Sequence, residues 1–554
     1  MSWKPTLVAL ALSANALCAQ DDPGGLVEIP LGELVQTVHG RTVPAVGRLS
    51  TWEAPRGGGG GGFSFDDEAQ GLYSPFVLTV ALERLLGFDA LEVDVDAEAG
   101  TLRARTSPGG RTRLLRQVAW LREVEAQRVD VRIKAYLLDA WPSWDPRPGV
   151  ALDAAALEAL AAERPWAELS ASLPDGLEVQ AVALRSEREH LGDYQINQTG
   201  ILPTLNPERY VLREGLWAGL RCSRLPNDPR AVLEFELGLA LHEGADRAQF
   251  RDGYPLVLPR WSELKAAGSC AVTSKRTRVL AVAHDPAGAA AGRVLLITAE
   301  VGAIPRRVAP PDPAVVLRRY AWGTLDRPGQ SHRDRLGDLE FEAEPSLRRS
   351  RIQEALMNTV DPDRWSDESF ATEGPHGLLV CQAGATQERV AAYLQREWSQ
   401  PAQNAVALLR YGAEGQPPTR FGVASCVGRP ASLSWHEARC LLSEIERSSG
   451  ACVTFPDPGD DPIVSEHRHG LTLALSHLST PTGPRVHVDL QRRSLSDRLE
   501  RLPTPWGTLE LPAVIDTWRL QDTVPLSVAE VGAVRPSGDA RLDVRLEGAL
   551  EEAK

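Results

Sequence analysis

The sequence predicts an α+β chain in which one folding unit is written twice: two tandem copies of a small α/β module followed by a β-rich segment. Three observations carry this. The pentapeptide Ala-Glu-Val-Gly-Ala stands at 299–303 and again at 529–533. Other landmarks recur in the same order before it: Trp120-Leu121 and Tyr393-Leu394, strand-like runs at 129–138 and 404–411, Gly215-Leu216 and Gly470-Leu471, then Leu256-Val257-Leu258-Pro259 and Leu509-Glu510-Leu511-Pro512. The spacing between matching landmarks shortens along the chain, as loss of loops from the second copy would produce. Recurrence on this scale favours a repeat architecture over a single-copy catalytic fold.

The N-terminus reads as a secretory signal over 1–19. Lys4 supplies a positive start, 6–17 an apolar stretch too short to span a bilayer, and Leu17-Cys18-Ala19 a small-residue cleavage site. Cys18 also admits a lipid anchor, which the bulky Leu17 before it disfavours. Residues 20–66 hold a strand-like piece at 26–35 and the glycine run 57–62, which reads as a flexible linker.

The first module occupies 67–127. Ser74 suits a helix N-cap, Pro75 the first helical position and Gly87 the exit. Leu91, Val93 and Val95 alternate, Glu98-Ala99-Gly100 turns the chain, and 101–106 returns as a second strand. Asp94, Asp96 and Glu98 sit in a hairpin rather than a calcium loop, because the glycine falls one position late. Leu114, Val118 and Leu121 mark an amphipathic helix. The counterpart module occupies 346–400. Ser350 and Gln353 form a capping box, Ile352, Leu356 and Met357 an apolar face, 378–381 a strand, and Val390, Tyr393 and Leu394 the second helix.

Each module leads into a β-rich segment, 128–303 and 401–535. Val129, Val131, Ile133, Ala135 and Leu137 alternate with mostly polar residues, so one strand face is buried. Residues 152–162 read as a helix, and 434–447 as its echo. Hairpins follow: 216–222 with 232–241 across Pro226-Asn227-Asp228-Pro229, and 471–475 with 486–490 across 480–484. The first segment adds strands at 276–284 and 294–301. Residues 304–345 are a Pro-, Arg- and Asp-rich linker. The tail, 536–554, adds a last strand at 541–546.

A net charge of −14 argues against nucleic acid, whose binding needs a basic face. No segment reaches the ~18 consecutive apolar residues of a transmembrane helix. Six cysteines follow the signal: Cys222, Cys270, Cys381, Cys426, Cys440 and Cys452. An exported chain permits disulfides, with Cys222–Cys270 the simplest pair, and buried thiols are the alternative.

The order of elements resembles the secretins, the ring-forming outer-membrane proteins of type II and type III secretion and type IV pilus systems. The run 114–121 followed by 129–138 resembles the junction between that family's small ring-building module and its β segment. Pro362-Asp363-Arg364-Trp365 with Gly377-Leu378-Leu379-Val380 resembles the strand-forming part of a second module. Residues 215–241 resemble the glycine-led hairpin, and 276–301 the closing strands. The resemblance spans 67–303 and 346–533. It implies a ring-building module and a secretin-like β-rich segment in each copy. The chain departs from the family in carrying two abbreviated copies. It also lacks the proline-rich motif before the closing strands and an apolar band with an aromatic girdle. A soluble, degenerate secretin-like protein is therefore expected.

No catalytic signature is present. Gly422-Val423-Ala424-Ser425-Cys426 is not a nucleophile elbow, and His436-Glu437 lacks the second histidine of a zinc-protease helix. The strongest cluster is Glu466, His467 and His469, with Asp460 and Asp461 just before. On a strand His467 and His469 share a side, yet no third ligand has a diagnostic spacing, so a solvated strand face is expected. The 14 tryptophans read as core and interface anchors rather than a glycan or peptide groove. No catalytic, cofactor-binding or metal residue is assigned, and no cofactor. The expectation is a non-enzymatic envelope protein, periplasmic or peripherally associated with the outer membrane, with protein partners or self-association. The alternative is a monomeric periplasmic or extracellular module that binds peptide or glycan.

Overall fold

The computed structural model describes residues 25–35 and 72–550, less 198–203, 285–291, 326–344, 399–403, 448–459, 526–530, 535–541 and breaks of four residues or fewer. The expected signal, the glycine run 57–62 and Cys452 lie outside the described residues. The chain is mostly β, in several sheets.

The first small sheet has the order β1-β3-β2, from β1 (Leu26–Pro30), β2 (Ala90–Asp96) and β3 (Thr101–Thr106). Helix α1 (Pro75–Leu86) joins β1 to β2, and α2 (Pro108–Ala126) follows β3. The Ser74 hydroxyl accepts from the Val77 amide at 3.2 Å, and Gly87 takes the expected exit at φ +58°. The Ser107 hydroxyl caps α2 in the same way, 3.1 Å from the Gly110 amide.

The next segment supplies β4 (Arg128–Leu138), α3 (Ala154–Ala161), β5 (Ala167–Pro174), β6 (Glu178–Asn197), β7 (Thr204–Arg224), β8 (Ala231–Phe250), β9 (Tyr254–Val272), β10 (Arg276–His284) and β11 (Val294–Val301). Val129, Val131, Ile133 and Ala135 are all buried, as their alternation predicts. The second small sheet, β12-β14-β13, repeats the first sheet's order with β12 (Val316–Ala321), β13 (Ala371–Gly374) and β14 (Gly377–Gln382). Helices α4 (Trp322–Leu325) and α5 (Pro345–Thr359) join β12 to β13, and α6 (Gly384–Tyr393) follows β14. Strand β12 lies inside the expected linker 304–345, and β1 precedes the expected start of the first module.

The remaining strands are β15 (Asn404–Ala413), β16 (Thr419–Val423), β17 (Ser425–Cys426), β18 (Ala431–Arg447), β19 (Asp460–Thr480), β20 (Gly483–Leu495), β21 (Leu499–Thr504), β22 (Gly507–Pro512), β23 (Ile515–Pro525), β24 (Val531–Val534) and β25 (Leu542–Leu550). Residues 434–447, expected to be helical, lie in β18. Glu, Ala, Arg and Leu favour a helix there, but pairing with β19 along the strand, and with β9 as far as Arg439, overrides that local preference. The tail strand is real and longer than expected, and it pairs with β15 along its length.

Two large sheets dominate. One runs β6-β7-β8-β9-β18-β19-β20-β23 and the other β5-β4-β11-β10-β16-β15-β25-β24. Their facing sides share one core, including Leu216, Phe235, Leu264, Ile297, Phe421 and Trp435. Strands from both halves of the sequence sit edge to edge in each sheet. The pentapeptide does not mark equivalent places: Ala299 to Val301 ends β11, beside β4, whereas Val531–Val534 is β24, separated from β15 by β25.

Asn404 stitches the layers together. Its buried amide donates to Gly149 O at 3.0 Å and Ala271 O at 3.2 Å, and accepts from the Ala271 amide at 2.7 Å. The Cys222–Cys270 pairing is not formed. Both residues face Leu233 of β8 from opposite sides, so they stand two strand spacings apart, roughly 10 Å, beyond the ~7 Å a disulfide spans. Cys222, Cys270, Cys381, Cys426 and Cys440 are buried thiols outside any disulfide, and burial pushes the Cys222 thiol well up.

Candidate functional site

Two glycines mark where long hairpins leave the shared core. Strand β7 pairs with β8 only from Gly215 onward, and its other half pairs with β6 alone. Strand β19 behaves identically: from Gly470 onward it pairs with β20, and before that with β18 alone. Gly215 faces Leu184, and Gly470 faces His436. A Cβ at Gly215 would stand 2.4 Å from Ala183 O, and one at Gly470 2.1 Å from Trp435 O. Both contacts are to backbone, so no side-chain rotation relieves them. Gly470 also sits at φ +148°, a conformation that favours glycine.

Beyond these glycines the strands carry a band of charged and polar side chains. The Ser186 hydroxyl donates to Glu214 at 2.7 Å, the Ser262 hydroxyl to Glu243 at 2.9 Å, and Arg213 to Glu187 at 3.0 Å. His190 stacks on His242 with ring centroids 5.6 Å apart. On the other half, His469 lies 3.3 Å from Glu437, and Arg439 lies 3.4 Å from the same carboxylate. The His469 hydrogen bond holds the Glu437 carboxyl below its usual range, against the opposing effect of burial. Glu263 of β9 joins the halves: it is buried, and pairs with Lys265 at 2.9 Å and with Arg468 of β19 at 3.3 Å.

His436 sits at the centre of this seam, opposite Glu263 on one side and Gly470 on the other. Burial, and then the Arg468 guanidinium, push its imidazole down to about 4. Burial also lowers His190, His242 and His467. These imidazoles are therefore neutral at pH 7. His436 shares an open groove with Gly470, Thr472, Gln491, Arg493 and Arg519, and its Nε2 lies 3.2 Å from the Thr472 hydroxyl.

The structure places His467 and His469 on one strand, opposite Arg439 and Glu437. Asp460 and Asp461 lie at the far end of β19, opposite Arg447 and Glu446. At ~3.3 Å per residue, that is roughly 20 Å from the histidines. Among the described residues no group of three or more metal-ligating side chains forms. Ser425 and Cys426 are buried between the sheets beside Asn404. Glu263 carried no signal in the sequence, because its partner Arg468 comes from a strand far along the chain.

Comparisons with known proteins stand beside this geometry. No protein-family model matches the chain, and no curated protein does. Among solved structures, the chain is similar to the secretin-domain β-barrel of InvG from the Salmonella SPI-1 injectisome. The TM-score is 0.19 at 9% identity, over 42% of this chain and 81% of that one. It is also similar to the type II secretin GspD of enteropathogenic Escherichia coli, with a TM-score of 0.21 at 10% identity, over 42% of this chain and 85% of that one. No described helix is long and apolar enough to cross a membrane.

Proposed function

We propose that this chain is a non-enzymatic, exported envelope protein that serves as a structural part of a protein-secretion or pilus-type assembly. It is built from two tandem secretin-like units. In each, a small α/β ring-building module leads into a β-rich segment, with 1–19 as the export signal. It sits in the periplasm or peripherally on the outer membrane, with protein partners and none of nucleic acid. The observation that carries this reading is the seam itself. Two strand sets in the same order, each with its glycine at the same rung, join edge to edge in both large sheets, with strands β9 to β18 and β10 to β16. Joining of like units by strand pairing is how an assembly grows, and the charged band beside the seam suits contact with water and polar chains rather than lipid.

The native mass of residues 20–554, by light scattering during gel filtration, tests the reading. A discrete oligomer is the expected result. A monomer, a little under the 60.2 kDa of the whole chain, overturns assembly and leaves a monomeric binding module in its place.

A further inference from the structure

We infer that a second copy of this chain docks head to tail, with β23 of one chain pairing with β6 of the next and β24 pairing with β5. This rests on the assembly reading above and adds the surfaces and their register.

The internal seam is the template. Four strands, β6 to β9, meet four others, β18, β19, β20 and β23, through β9 and β18. That leaves β6 at one end of the sheet and β23 at the other. The second sheet is cut the same way. Strand β10, two strands from β4, meets β16, the neighbour of β15. Its ends are β24, two strands from β15, and β5, the neighbour of β4. Each free end thus holds the place of a strand that is already paired inside the chain. The interface is heterologous: the surface used on one side of the seam differs from that on the other, so it repeats when copies are added.

The register follows. His436 of β18 faces Gly470 on its own side and Glu263 across the seam. Leu184 holds the His436 place, since it faces Gly215. Thr517 holds the Glu263 place, since it faces Arg493, which faces Gly470, just as Glu263 faces Ala240 and Ala240 faces Gly215. Leu184 of one chain therefore lies opposite Thr517 of the other.

Burial points the same way. Ala431, Leu433 and Trp435, on the core side of β18, are 4%, 0% and 2% exposed, while Val179, Ala181 and Ala183, in the same places on β6, are only partly buried. Leu184 is 49% exposed, one of few large apolar side chains left in water among the described residues. The small sheets repeat the contrast. Leu317 pairs with the last residue but one of β14 and is 2% exposed, within the core of the first module's helices. Leu26 pairs with the last residue but one of β3 and is 58% exposed. A neighbour placed by the template covers Leu26 and Leu184 together.

The test uses residues 20–554 with Leu184→Cys and Thr517→Cys, treated with a short thiol cross-linker. A Gln180→Cys, Thr517→Cys pair, four residues out of register, serves as the control. Covalent multimers from the first pair and not the second are expected. A large native mass with no cross-link, or with equal cross-linking of both pairs, overturns the seam and leaves the assembly reading standing. A monomeric native mass overturns both. Leu184→Lys, on the surface of the single chain, keeps the far-ultraviolet circular dichroism and weakens association at least roughly tenfold, from the lost burial of one leucine. Unchanged association of this variant also overturns the seam.

Discussion

Arg319 of β12 and Glu125 of α2 tie the second small sheet to the helix that follows the first. Their side chains are 3% and 8% exposed, and Arg319 Nη2 lies 2.6 Å from Glu125 Oε2. Tyr73 donates to the same carboxylate at 2.8 Å, and Arg319 also donates to Asp175 O at 3.0 Å. The pair is well hydrogen-bonded, so its removal by halves is what costs stability. Arg319→Met leaves a buried carboxylate without its cation and lowers stability by about 3–5 kcal/mol, read from the denaturant midpoint. His436 supplies a second prediction. Its imidazole titrates near 6.5 in the unfolded chain and about 4 in the folded one. The unfolded chain therefore binds the proton first, and stability present above pH 6.5 is lost as pH falls towards 4. Arg468, Glu263, Lys265 and His469 face this group, and His190, His242 and His467 shift in the same direction. His436→Gln flattens part of that slope in denaturation series between pH 4 and 6.5. An unchanged slope assigns the effect to the other histidines.

The long strands are the feature that changes most between sequence and structure. Strand-like runs at 216–222 and 232–241 sit inside β7 and β8, which span 21 and 20 residues. Only the portion over the second sheet shows apolar alternation, because only there does one face meet a core. The projecting halves are held by backbone pairing, with charged side chains on their surfaces, and such stretches read as loops. The same physics makes the two glycines indispensable to their hairpins. Gly470→Ala sets a Cβ against Trp435 O at a φ that L residues rarely adopt. It costs about 3 kcal/mol, while Thr472→Ala on the same strand costs well under half of that. Equal losses at the two positions would remove the special role of the bend. Helix α1 is the opposite case. Its N-cap, proline and exit glycine are local signals, and the helix forms where they stand.

At the scale of the molecule, each of the two large sheets is shared between the halves of the chain, so neither half has a complete core of its own. Asn404 shows the dependence directly: its partners, Gly149 and Ala271, come from the other half. The native mass, and the cross-link between positions 184 and 517, are the measurements that belong to this scale. The sequence by itself determined the cap signals of α1, the alternating strand that becomes β4, the apolar strands that become β10 and β11, the recurring glycines, and an acidic chain with no apolar run long enough for a transmembrane helix. These depend on neighbours a few residues away. Only the tertiary structure decided that β1 and β12 belong to the small sheets and that 434–447 is a strand. It also decided that Cys222 and Cys270 stay apart, that Asp460 lies far from His467, and that strands from the two halves pair. Each of those depends on which strand lies alongside, a contact between residues up to hundreds of positions apart, and local patterning does not encode it.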